Sequence, residues 1–89
     1  MSDSPVRCWL VERTVDDRNL VHLVYATPDG ERYQKRQRNA NALRSGSPVT
    51  AAVEVEATGL ATVDDEETRA RYAAEARRTA KLHDPDDEI

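Results

Sequence analysis

At 89 residues with a net charge of −4 and 38% hydrophobic content, the chain has room for one domain and little apolar material to build it from. Leu, Ile and Val total 16 and Phe is absent; eight of the sixteen fall between Val6 and Val24, so a folded core is expected there rather than disorder. The single cysteine, Cys8, excludes an internal disulfide, and no apolar run approaches the roughly 20 residues of a membrane helix. The start, Met1-Ser2-Asp3-Ser4, has no basic and apolar leader, so a cytoplasmic location is expected.

In chain order, residues 6–15 form the first expected strand, rich in β-branched residues and broken by spaced charges. Asp16-Asp17-Arg18-Asn19 is a polar turn, and 19–27 is the second strand. Pro28-Asp29-Gly30 is the strongest turn signal, with Pro preset for a turn and Gly free to take positive φ. It closes a hairpin into a third strand, 31–37. A short helix over 39–45 follows, with Asn39 as N-cap and Gly46 past its end. One longer helix from Glu31 is the alternative, carried by the spacing of Tyr33, Gln37, Ala40 and Arg44. Pro48 opens a fourth strand, 49–57, in which Val49, Ala51, Val53 and Val55 alternate with polar residues and Ala52. Strand order is left open.

The C-terminal helix is expected over 64–82, with Asp64 and Glu67 as a capping box. Its inner face would be Tyr72, Ala73, Ala76, Ala80 and His83, joined by the stem of Arg69. Residues 1–83 then make one α+β domain, an antiparallel sheet of about four strands backed by this helix. Residues 84–89, with Pro85 and four acids, are expected as a mobile acidic tail.

Strands one and two are apolar on both faces, whereas a sheet with one solvated face alternates apolar and polar. One Ala-rich helix covers one face, so a homodimer is expected over the other, with Trp9, Val11, Val21, Leu23 and Tyr25 as the interface. The alternative is a sheet that curls on itself or is covered by loops and Arg stems. Burying five such side chains is worth on the order of 10 kcal/mol, so something must cover them.

One segment departs from the acidic average. Residues 31–48 carry Arg32, Lys35, Arg36, Arg38 and Arg44 against a single acid. With Tyr33 as a stacking ring, it could grip a nucleic-acid backbone. It could equally be a charged edge strand that blocks unwanted pairing, or a salt-bridge partner of residues 64–67. Other chemistry fails on spacing. Cys8, His22 and His83 are too scattered for a metal site, so no metal and no cofactor are expected. A four-residue turn would pair 15 with 20 and put His22 opposite residue 13, far from Cys8, which is expected as a small buried side chain. Glu54 and Glu56 share a strand's solvent face, and Gly30, Gly46 and Gly59 make no phosphate loop. The chain is therefore expected to be no enzyme but a binding or assembly module acting through protein contacts; a nucleic-acid-associated protein is the alternative.

Eleven of the thirteen cations are Arg and acids total 17, a balance found in cytosolic proteins of halophilic archaea and, for Arg over Lys, in high-GC bacteria. The segments Trp9-Leu-Val-Glu-Arg-Thr14, Leu23-Val-Tyr-Ala-Thr-Pro-Asp-Gly-Glu-Arg32 and Arg69-Ala-Arg-Tyr-Ala-Ala-Glu-Ala76 resemble a small family of haloarchaeal cytosolic proteins of unknown function. That resemblance implies a halophilic origin and carries no site residue.

Overall fold

Two hairpins build most of the sheet. In the computed structural model, which describes residues 5–39 and 49–89, β1 (Val6–Val15) pairs antiparallel with β2 (Leu20–Ala26), and β2 with β3 (Arg32–Asn39). The chain then places β4 (Ala52–Val55) on the far side of β1 and a two-residue β5 (Ala61–Thr62) against the start of β3. The order is β4-β1-β2-β3-β5, five strands where four were expected, with the helix α1 (Glu66–Leu82) packed on one face. The α+β class stands.

Each turn is held by an aspartate. Asp16 Oδ1 accepts from the backbone N–H groups of Arg18 (2.9 Å) and Leu20 (3.1 Å), while Asn19 takes φ 64°. This left-handed residue lengthens the loop by one, so Val15 pairs with Val21 and His22 lies opposite Thr14 rather than residue 13. Cys8 pairs with Val53, on the other side of β1, and is fully buried. In the second turn the Gly30 N–H donates to Thr27 O (2.8 Å), and Asp29 accepts from Glu31 N (2.9 Å).

Gly30, at φ 74°, is needed twice over. A Cβ there would run into the carbonyl of Arg69 and lie 2.8 Å from the amide of Ala73, so the turn tip touches the helix backbone itself. Asp65, not Asp64, is the helix N-cap: its carboxylate accepts from Thr68 N (2.8 Å) and Thr68 Oγ1 (2.7 Å). Inside the helix, Tyr72 and Ala76 are buried, while Ala80 is exposed. Its expected place is taken by Thr79, whose hydroxyl donates to Leu10 O (2.8 Å), where β1 bulges at Val11.

The helix face of the sheet buries Trp9, Val24 and Ala26 with Val63, Tyr72 and Ala76. The opposite face buries Cys8, Leu10, Val21, Leu23 and Tyr25 with Val49 and Val55, flanked by Leu60 and Ile89. Ile89 arrives because residues 84–89 are bonded to the sheet rather than extending freely. Ala51 N donates to Asp87 O (2.8 Å), Ala52 N to Pro85 O (3.0 Å) and Ile89 N to Val49 O (2.9 Å). Backbone groups satisfied against β4 outweigh the solvation of four acids whose side chains still point outward. The expected fourth strand, 49–57, shortens to 52–55 and ends in a 3-10 turn, Ala57–Gly59. The short helix 39–45 lies outside the described residues from residue 40 on; Asn39 itself ends β3, and the single longer helix from Glu31 is ruled out by the β3 strand.

Candidate protein-docking edge

The basic segment is an edge strand, and its backbone has a definite polarity. Thr27 N donates to Arg32 O (3.0 Å), and antiparallel pairs alternate between bonded and non-bonded. Arg32, Gln34, Arg36 and Arg38 therefore turn their backbone groups toward β2, and Tyr33, Lys35 and Gln37 turn theirs outward. Tyr33 is covered by β5 through its pairing with Ala61, and Val63 N reaches Glu31 O (2.9 Å) just before it. β5 then ends. Among the described residues, nothing pairs with the outward groups of Lys35 and Gln37.

The side chains divide by face. Lys35 and Gln37 pair with Val24 and His22, so they stand on the helix face. There they line a groove of about 420 Å³ with Glu12, Thr14 and His22. His22 is fixed from both sides, by Asp16 Oδ2 at 3.0 Å from Nε2 and by Gln37 Nε2 at 3.5 Å from Nδ1. The histidine beside it holds the Asp16 carboxyl below its usual range, helped by the Leu20 and Arg18 amides. Glu12 on the groove's other wall meets Arg71 of the helix at 3.6 Å.

Arg32, Arg36 and Arg38 stand on the opposite face. The Arg36 guanidinium lies 5.5 Å from the centroid of the Tyr25 ring and donates to Gln34 Oε1 (2.7 Å). Burial pushes the Tyr25 phenol up, against the lowering effect of Arg36, Arg38 and Arg13, and the hydroxyl donates to Thr50 O (3.2 Å). Tyr33 packs on Tyr72 with ring centroids 6.2 Å apart. The nucleic-acid set Arg32, Tyr33, Lys35, Arg36 and Arg38 is thus split between two faces, with its ring already occupied; Arg44 lies outside the described residues. Among the described residues, none of these cations has a carboxylate within 4 Å, although Lys35 lines a groove with Asp64 and Asp65.

The five residues expected at a dimer interface also separate. Trp9 and Val11 lie on the helix face, and Val21, Leu23 and Tyr25 on the other. Leu23 and Tyr25 are each 2% exposed and Trp9 is 8% exposed, so these side chains are already covered within the single chain. Cys8 is fully buried, and that burial pushes its thiol up against the lowering effect of Arg32 and Arg36. Among the described residues no group of His, Cys, Asp and Glu converges for a metal, and no helix is long and apolar enough to cross a membrane. The Asp16–His22–Gln37 chain and the open edge were not visible beforehand. The first needed the hairpin register and the second the strand order, although the polar alternation of Lys35 and Gln37 was their one local signal.

No curated protein and no solved structure matches the chain. A family model does, over residues 1–89, and the chain belongs to that family of unknown function, DUF7967.

Proposed function

We propose that this protein is a non-enzymatic binding module that receives an extended, acidic segment of a partner protein as an added strand along β3. The observation that carries this reading is the pair of outward backbone positions at Lys35 and Gln37, left without a strand among the described residues where β5 stops. Strand addition takes its affinity from main-chain hydrogen bonds and its selectivity from side chains on either face. Acids on the incoming strand would meet Lys35 on the groove face and Arg36 and Arg38 on the other. Charge on an edge ordinarily repels further strands, yet here it is of one sign and, among the described residues, has no carboxylate within 4 Å, which favours a strand of the opposite sign. Nucleic acid is the weaker reading, because Tyr33 and Arg36 already hold Tyr72 and Tyr25.

The test is a titration of isotope-labelled protein with a synthetic octapeptide alternating Glu and Val, followed by amide shifts and exchange. Slowed exchange at Lys35 and Gln37 is expected. Gln37→Pro removes one outward N–H without touching the bonds to β2 and should abolish the effect with the fold retained. Unchanged exchange at both amides overturns the proposal. Shifts produced only by single-stranded DNA, centred on Arg13, Arg36 and Arg38, would replace it by the nucleic-acid reading.

A further inference from the structure

The sheet has a second open edge, and its charge is opposite. Ala52 N bonds outward to Pro85, so the alternation turns the backbone of Glu54 outward as well, two residues beyond the point where the C-terminal segment stops covering β4. Among the described residues its N–H and C=O have no backbone partner. Exposed Glu54, Glu56, Asp86, Asp87 and Glu88 gather along this side. Among the described residues, Arg7 ion-pairs there at 3.2 Å from Glu54, and His83 Nδ1 lies 4.0 Å from Asp87 Oδ2. A groove of about 240 Å³, lined by Arg7, Val53, Glu54, Pro85 and Asp86, follows the edge. The C-terminal segment already bonds this side at its start, through Ala51 N to Asp87 O, Ala52 N to Pro85 O and an isolated bridge between Thr50 and Glu88.

From these two edges we infer that the partner strand is the β4 edge of a second copy of this chain, laid antiparallel on the β3 edge of the first. This rests on the docking role proposed for β3 and names its occupant. Both edges end in outward backbone groups, at Lys35 and Gln37 on one and at Glu54 on the other, so each supplies the donors and acceptors that the other lacks. Lys35, Arg36 and Arg38 face Glu54, Glu56 and Asp86. Like edges repel: β3 against β3 brings cations together, and β4 against β4 brings acids together. The contact is therefore heterologous, joining different patches of the two copies, and each copy retains one edge of each kind. Assembly then proceeds to a closed ring or an open row and does not stop at a two-fold dimer.

Sedimentation velocity on the full chain tests this. In low salt the mass is expected to rise with concentration above the 10.0 kDa of one chain. Molar salt should weaken the association at least roughly tenfold, because it shortens the screening length to about 3 Å. Lys35→Glu with Arg38→Glu takes the positive charge off the β3 edge, and Glu56→Lys with Glu88→Lys takes most of the negative charge off the β4 edge. Each double variant should sediment as one chain, and an equimolar mixture of the two should regain association. Gln37→Pro, which alters no charge, should also sediment as one chain and serves if a charge-reversed variant fails to fold. A one-chain mass for the native protein at every concentration in low salt overturns the inference, as does association that charge reversal leaves unchanged. If the octapeptide still protects Lys35 and Gln37 in that case, the docking edge stands and only its occupant is wrong. If neither effect occurs, both proposals fall.

Discussion

The two faces of the sheet are closed by opposite means. The helix face is sealed by one continuous element that comes close because its contact residues are small: Ala76 is fully buried, and Gly30 brings a turn tip onto the helix backbone. The other face is sealed piecemeal by Val49, Leu60, Ile89, the Arg36 stem and the Tyr25–Thr50 bond. A face closed by proximity is most sensitive to added atoms, while one closed by many partial covers is most sensitive to lost ones. A thin apolar stock can thus bury both sides of a sheet if one side is made of near-contact instead of bulk.

This contrast can be broken at either side. Gly30→Ala has the largest expected effect, about 4 kcal/mol, because positive φ and the collision with the helix backbone add. Chemical denaturation should show it, and a loss below about 1 kcal/mol would mean that the helix can lift without penalty. Leu23→Ala, on the other face, should cost about 3 kcal/mol through an internal cavity, with the helix unaffected in its circular dichroism signal. Thr79→Val and Tyr25→Phe each remove one hydroxyl that bonds a backbone carbonyl, to Leu10 and Thr50 respectively, and should cost about 1 kcal/mol apiece. Their sum in the double variant sharpens the comparison, since independent closures should add.

The smallest effect is acidic destabilisation from the turns. Asp16, Asp29 and Asp65 are held below the usual carboxylate range, first by His22, Thr27 and Thr68 respectively. Folded values below unfolded ones mean that their contribution is present above about pH 4 and is lost as the pH falls through the lower folded values. Thermal midpoints should drop below pH 4, and Asp29→Asn should lower the midpoint at pH 7 and flatten that slope, so that variant and native protein converge in acid. A slope unchanged by the substitution would remove Asp29 from the account.

What could be read beforehand was whatever local chemistry decides. Pro28-Asp29-Gly30 closes the hairpin it advertises, the acidic start at residues 64–67 opens a helix, and Cys8 is buried. Errors of one residue came from choices that several side chains could satisfy: Asp65 caps where Asp64 was expected, and Thr79 points inward where Ala80 was expected. Larger departures came from long-range pairing. Nothing in Ala61-Thr62 distinguishes a strand, and the charge of residues 84–89 conceals backbone groups that β4 satisfies. The polarity of the two edges depends on strand order, which no local pattern encodes. The split of Trp9 and Val11 from Val21, Leu23 and Tyr25 follows from the bulge at Val11 and the hairpin register, which together decide which residues share a side.

The attachment of Ile89 sets a clock as well as a boundary. Its side chain reaches both apolar clusters, and its carbonyl accepts from Arg13 Nη1 at 2.8 Å across 76 positions of sequence. β1, an interior strand of the sheet, is synthesised early and is completed only when these distant residues have emerged. Contacts of such separation are slow to form. During synthesis the two hairpins of residues 6–39 therefore wait with one flank bare, and a helper that shields β1 in that interval would act on folding yield without touching the finished protein.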